Sequence, residues 1–250
     1  LFIVFVFHYN LFNLNKGEII MKQKSKSRLI IGLIIFCVFL VFTISLKFVD
    51  LKPIGPNGSI VAYGTVNSSV HKLLGVNMTL YNITDWAGVV AILIMVGFAI
   101  LGLIQWLKRK SILKVDFEIL LLGVFYIIVF SVYAFFEFKV INRRPILING
   151  FLEASYPSST TMLACCVIAT AIMQFKRLIK NKIIKRIVVI LCYLFTAFMV
   201  IARLVSGVHW FTDIIGGLLL SLSLVYGYYG ICVFIENKNS RKSREFCFTI

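Results

Sequence analysis

The stretch that decides the fold runs Ile187-Val-Val-Ile-Leu-Cys-Tyr-Leu-Phe-Thr-Ala-Phe-Met-Val-Ile-Ala202, then Arg203-Leu-Val-Ser-Gly-Val-His209-Trp-Phe-Thr-Asp213, then a second apolar run from Ile214 to Ile235. Two segments that fit a hydrocarbon interior flank eleven residues spaced R-x5-H-x3-D. The apolar runs make this a membrane protein, and the insert between them brings three chemistry-bearing side chains to one membrane surface. His209 and Asp213 are four apart and share a face if both are helical. A carboxylate there can hold one imidazole nitrogen and leave the other free to attack. Arg203 can grip an anion through two parallel N–H donors.

Working outward, the rest of the 250-residue chain is of the same kind. It is 60% hydrophobic, with a mean hydropathy of +0.95. Soluble domains are less apolar than this. Six stretches approach the roughly 20 residues that cross a bilayer: Leu29–Phe48, Trp86–Leu107, Phe117–Phe136, Ser158–Phe175, Ile187–Ala202 and Ile214–Ile235. The fourth and fifth are short and borrow from their flanks. The expectation is an all-α integral membrane protein, one six-transmembrane-helix bundle over residues 29–235, without internal repeats.

The net charge of +16 is not a nucleic-acid signal, because its distribution follows the membrane. Eighteen of the 26 basic residues fall on one side: before the first span, between spans two and three, between spans four and five, and in the C-terminal tail. The positive-inside rule assigns that side to the cytoplasm. Residues 21–28 and 236–250 are then cytoplasmic tails, and three loops face outward. Lys139, Arg143, Arg144 and Arg203 defy the bias on the outer side, which points to an anionic headgroup there.

The six cysteines form no C-x2-C pair, and no disulfide framework or metal motif is visible. The chain starts at Leu1. Lys16-Gly-Glu-Ile-Ile-Met21 back-translates into a ribosome-binding site and a start codon. Residues 1–20, His8 among them, read as an over-extended frame before a native start at Met21 in a bacterium of low GC content.

The second outer loop ends Tyr156-Pro157-Ser158-Ser159-Thr160-Thr161. Proline suits a first helical turn, Ser and Thr cap free N–H groups, and a helix N-terminus is a ready anion site. Upstream lies Arg143-Arg144-Pro145, preceded by Lys139. Phosphoryl chemistry on a lipid is the function class these groups imply.

From Lys139 to Gly217 the chain resembles the type 2 phosphatidic acid phosphatase superfamily, whose membrane members are six-helix lipid phosphatases. The resemblance rests on basic-R-P, then P-S at the start of the fourth span, then R-x5-H-x3-D. It implies that His209 is the nucleophile forming a phosphohistidine, that Asp213 orients it, and that Arg203 binds phosphoryl oxygens. It further implies that Arg144, Ser158, Ser159, Thr160 and Lys139 contact the phosphate, with no metal or cofactor. The implied partner is a membrane lipid phosphate or diphosphate, such as undecaprenyl diphosphate. The alternatives are a non-catalytic lipid-phosphate binder and a phosphotransferase. There are departures. Ala202 stands where the family usually has Ser. Its K-x6-R-P is K-x4-R-P here, with Ile146 seven after Lys139. Its P-S-G-H is P-S-S-T, so Thr160 replaces the histidine that protonates the leaving group. His71, in the first outer loop, is a substitute acid if that loop folds over the site.

Overall fold

The computed structural model describes residues 18–247, and side chains over residues 25–236. Leu1–Phe12 and His8 lie outside the described residues, as do the side chains of Met21, Lys22, Lys24, Lys238, Arg241, Lys242, Arg244 and Cys247. Seven helices follow in order: α1 (Glu18–Ser45), α2 (Gly64–Leu74), α3 (Met78–Arg109), α4 (Phe117–Phe138), α5 (Ser159–Leu178), α6 (Lys182–Val205) and α7 (Phe211–Cys247). All except α2 are long and apolar enough to span a membrane, and the protein is a multi-pass, all-helical membrane bundle.

A chain in hydrocarbon must satisfy its backbone internally, so helices are the natural solution. The bundle is correspondingly inverted relative to a soluble domain. Leu33, Ile127, Ile183 and Leu194 point outward, more than half exposed. The spans differ in depth: α5 is the most buried and α1 and α3 the least, which makes α5 the central helix. Its small and medium side chains, including Cys166, Val167 and Ala171, pack with Leu122 and Val129 of α4 and Leu220 and Val225 of α7. Polar pairs tie the helices together, a buried one in Gln174 Nε2 donating to Tyr228 Oη at 3.0 Å and a surface one in Arg177 pairing with Glu118 at 2.7 Å.

The segments expected to face outward are more ordered than the sequence suggests. The first outer loop, expected over residues 47–85, contains α2. Moreover α3 begins at Met78, eight residues before Trp86, because the Asn77 side chain caps it by accepting from Leu80 N at 2.9 Å. With 32 residues, α3 is about 48 Å long, well beyond the roughly 30 Å hydrocarbon core. Its extra turns carry Tyr81, Thr84 and Asp85 toward the candidate site. The loop also folds down onto the start of α7: Asn67 Nδ2 donates to Thr212 Oγ1 at 3.0 Å, and Asn77 N donates to Ser206 O at 3.0 Å.

Candidate active site

Four helix ends meet at one end of the bundle: the N-termini of α3, α5 and α7 and the C-terminus of α6. The R-x5-H-x3-D spacing is the sequence of that junction. Arg203 sits in the last turn of α6. Gly207 then takes a positive φ of 67° and lies so close to the Gly75 carbonyl that a Cβ would collide with it. His209 follows in the turn, and Trp210 N donates to Asp213 Oδ2 at 2.9 Å as α7 begins. Asp213 thus closes a capping box from the third helical position. His209 precedes the helix, so the two residues do not share a helical face as expected; the turn brings them together.

The second outer loop forms a short hairpin-like ladder. Arg144 N donates to Glu153 O at 3.1 Å, Ser155 N donates to Asn142 O at 3.0 Å, and the chain reverses at Asn149-Gly150, both at positive φ. An Asn-Gly pair is a strong short-range turn signal, and the sequence carries it plainly. The ladder aims Arg144 and the Ser155 carbonyl at the junction.

His209 is buried, 4% exposed. Arg144 Nη1 lies 3.3 Å from its Nε2, and Ser155 O lies 3.1 Å from its Nδ1. A guanidinium only donates and a carbonyl only accepts. The tautomer is therefore fixed, with the proton on Nδ1 and a lone pair on Nε2. Burial foremost, then the charges of Arg144 and Arg203, holds the imidazole well below its ordinary pKa, so at neutral pH it is uncharged. Asp213 Oδ2 stands 3.6 Å from Nδ1, further than the Ser155 carbonyl. The orienting bond expected of Asp213 belongs here to Ser155, with the carboxylate as a second, electrostatic neighbour that also accepts from Asn142 Nδ2 at 3.4 Å.

The two arginines line the same space. Arg203, 1% exposed, donates from Nη1 to Thr84 Oγ1 at 3.1 Å, sits 3.6 Å from Asp85 Oδ1, and covers the Tyr81 ring at 4.7 Å. Arg144 lies 5.9 Å from the same ring and pairs with Glu153 at 3.0 Å. Burying a guanidinium costs several kcal/mol unless it is well paired. Arg203 Nε is nevertheless buried without a hydrogen-bond partner. An anion between the arginines would satisfy such a donor.

The α5 terminus adds to this. Ser158 N donates to Asp213 O at 3.0 Å, which locks α5 to α7. Contrary to expectation, Ser158 does not cap its helix: its Oγ donates to Thr161 Oγ1 at 3.0 Å. The first N–H groups of α5, at half-buried Ser159 and Thr160, are left without a side-chain cap, as an anion site requires. Lys139 is exposed at the C-terminal cap of α4 and takes no part in the Arg144–His209–Arg203 contacts. Pro157 precedes the cap rather than opening the first turn. His71 does face the start of α7, but its neighbour is the Trp210 ring, at 5.5 Å.

Sequence reasoning missed Tyr81, Thr84, Asp85, Asn142, Glu153 and Ser155. The signal for the first three is their spacing at i, i+3 and i+4, together with Asn77 as a cap. Among the described residues no cluster of three or more His, Cys, Asp or Glu side chains is suited to hold a metal ion.

The family model of the PAP2 superfamily matches residues 91–234, more than half of the chain. The fold is also similar to the crystal structure of the transmembrane PAP2 type phosphatidylglycerolphosphate phosphatase from Bacillus subtilis. The two share 20% identity with a TM-score of 0.51, over 82% of this chain and 96% of that one. No curated protein sequence matches.

Proposed function

We propose that this chain, which belongs to the PAP2 superfamily, is a lipid phosphatase of a bacterial cell membrane. Both termini are cytoplasmic, and the site faces outward. It releases phosphate from a lipid phosphate or diphosphate through a phosphohistidine at His209. One observation carries the reading: a buried, neutral His209 with Nδ1 at 3.1 Å from the Ser155 carbonyl and Nε2 at 3.3 Å from Arg144.

In the resting site Arg144 Nη1 donates to the nitrogen that must attack. A bound phosphoryl group takes that N–H for its own oxygen and exposes the Nε2 lone pair to phosphorus. Arg203 and the free N–H groups of α5 hold the remaining oxygens. Such fixed donors stabilise the charge of the transferring group without reorganisation, and phosphoryl transfer is mostly positioning and electrostatics. As Nε2 bonds to phosphorus the ring gains positive charge, which the Asp213 carboxylate offsets. Water then hydrolyses the phosphohistidine.

Thr160 narrows the substrate. A monoester expels an alkoxide, which needs a proton, and a threonine hydroxyl is a poor acid near pH 7. A diphosphate expels a phosphate monoester with a second pKa of about 6, which leaves unprotonated. The preferred substrate is therefore a lipid diphosphate, with undecaprenyl diphosphate the leading candidate. The same Thr160 favours a second reading, a lipid-phosphate binder that has lost its acid. Incubation of the purified protein with radiolabelled undecaprenyl diphosphate and phosphatidic acid, followed by alkaline quench, separates the two. A base-stable phosphohistidine and phosphate release, faster from the diphosphate and both absent in His209→Ala, are expected. Binding without either product would leave only the binder, and full release by His209→Ala would end the phosphohistidine mechanism.

A further inference from the structure

The end of the bundle away from the candidate site carries a feature that hydrolysis does not use. Between the second half of α3 and the first half of α4 lies an apolar cavity of about 420 Å³, within the size range of small-molecule sites. Phe98, Ile119 and Leu122 form its buried floor, and Leu103, Trp106 and Ile127 its exposed rim. Small residues open it. Ala99 and Gly102 line it from α3 and Gly123 from α4, and a Cβ at Gly123 would meet no atom within 4 Å. Both walls are candidate membrane spans, so the groove opens on hydrocarbon. Met95, the α3 lining residue nearest the candidate site, is ten residues past Asp85, about 15 Å along the helix.

The dimensions match one leaflet. From Met95 to Trp106 the groove runs eleven residues along α3, about 16 Å, against about 15 Å for half of a hydrocarbon core. Trp106 stands where an interfacial anchor belongs. Beyond it comes a basic turn. Residues 108–116 carry Lys108, Arg109, Lys110 and Lys114 against one acid, Asp116, and all four basic residues are exposed. The turn is tied to the groove mouth. Arg109, three residues past Trp106 on the same face, pairs with Asp116 Oδ1 at 2.8 Å and donates to Lys114 O. Val115, between those two partners, lines the groove, as does Ile112. Orientation alone accounts for basic residues in this loop. It does not account for a leaflet-deep groove that ends at them.

We propose that this groove is a binding site for an anionic phospholipid of the leaflet opposite the candidate site. One acyl chain lies between α3 and α4, and the headgroup phosphate meets Arg109, Lys110 and Lys114. A zwitterionic lipid offers the same chain, but with an ammonium that the turn repels. The chain fills space that the two helices leave between them. The lipid thus fastens α4 to the helix whose other end, through Thr84, holds Arg203. The site does not depend on the phosphatase reading.

Trp106 is the reporter. Trp86→Phe removes the tryptophan that is 76% exposed, and Trp210 is buried. The full-length Trp86→Phe protein is placed in bilayers of phosphatidylglycerol and phosphatidylcholine, with bromine on the acyl chains of one or the other. Quenching of Trp106 is read against composition. A basic residue near a membrane surface is worth about fivefold in anionic-lipid binding. Brominated phosphatidylglycerol should be preferred at Trp106 by about tenfold or more, and Lys110→Gln/Lys114→Gln should reduce that preference to about twofold or less. Gly123→Phe, which fills the groove and keeps the lysines, should remove the preference too. Gly97→Phe, on α3 outside the groove, should keep it. Equal quenching by the two lipids with the turn intact would overturn the proposal, as would a preference that survives Gly123→Phe. Relief of the quenching by undecaprenyl phosphate would give the groove to a substrate tail and would overturn it as well.

Discussion

Replacing Arg203 with lysine keeps the positive charge and removes the fork, so it asks what the geometry of that residue is worth. A guanidinium has five N–H donors and an ammonium three. In the structure one Arg203 donor goes to Thr84 Oγ1 at 3.1 Å, another faces Asp85 at 3.6 Å, and Nε is buried with no partner. Three donors remain for an anion. A lysine that meets Thr84 and Asp85 has one left, and it also forfeits the planar stacking on Tyr81. The loss to a bound phosphoryl group is thus one to two charge-assisted hydrogen bonds, each about 1.5–3 kcal/mol, or roughly tenfold to a hundredfold per bond. Arg203→Lys should reduce kcat/KM for phosphate release by about 10² or more, and weaken inhibition by vanadate by a comparable factor, since the fork is used in binding as well as reaction. Detergent-solubilised protein with a matched thermal-unfolding profile is the sample. A variant that folds normally and keeps kcat/KM within about threefold of wild type would show that the fork does not hold the phosphoryl group.

Topology follows from the basic loops: Leu73→Cys in α2 and Leu113→Cys between α3 and α4 are both strongly exposed sites. In a cysteine-free background an impermeant maleimide should label the first in intact cells and the second only after permeabilisation; labelling of both from outside would discard the orientation. Gly207→Ala places a methyl group against the Gly75 carbonyl at a position with φ of 67°. It should lower the unfolding temperature and expose the Gly75-Val76 segment to protease, whereas an unchanged digestion pattern would contradict the packing of the first outer loop on the site. The neutral, depressed His209 sets a pH dependence. Its folded-state pKa is lowered, so the unfolded chain binds more protons than the folded one once pH falls below about 6.5, the ordinary value. Stability from this group is full above that pH and declines below it, by up to about 1.4 kcal/mol per pH unit. His209→Asn should flatten the fall in unfolding temperature between roughly pH 6.5 and 5; an identical slope in the variant would refute the assignment.

Hydropathy made the six spans legible because lipid demands a long apolar run for each, whatever its neighbours. The chemistry of residues 203–213 was legible for the opposite reason: it is local, eleven residues that turn once between two helices. What the sequence hid depends on residues far apart. The Thr79-x2-Asn82-x-Thr84-Asp85 region reads as a polar loop by composition, yet it is helical, since Asn77 caps it and Thr84 and Asp85 meet Arg203 of α6. The hydropathy reading begins the span at Trp86 and so omits the three residues that hold Arg203. Lys139 is the reverse case: its charge and its place before Arg144-Pro145 put it in the motif by sequence, whereas in the fold it is exposed at the C-terminal cap of α4.

The same helix caps that end and start the spans also set the reacting atoms. Asp213 accepts from Trp210 N to begin α7, and through its own carbonyl accepts from Ser158 N to anchor α5. The Gly216-Gly217 pair lets the second outer loop lie against α7 one turn further on: a Cβ at Gly216 would strike the Tyr156 ring, and one at Gly217 would crowd Ser158 O. Tyr156 in turn is stacked on Phe39 of α1 and bonded to Thr43 at 2.7 Å. The Ser155 carbonyl that fixes the His209 tautomer is therefore attached to a residue clamped between α1 and α7. Orientation of the nucleophile comes from the packing of the bundle as much as from the Asp213 carboxylate. A side chain that only oriented His209 would be replaceable by the Ser155 carbonyl; Asp213 is not, because removing its carboxylate would release the α7 cap and lose the charge beside the ring at the same time.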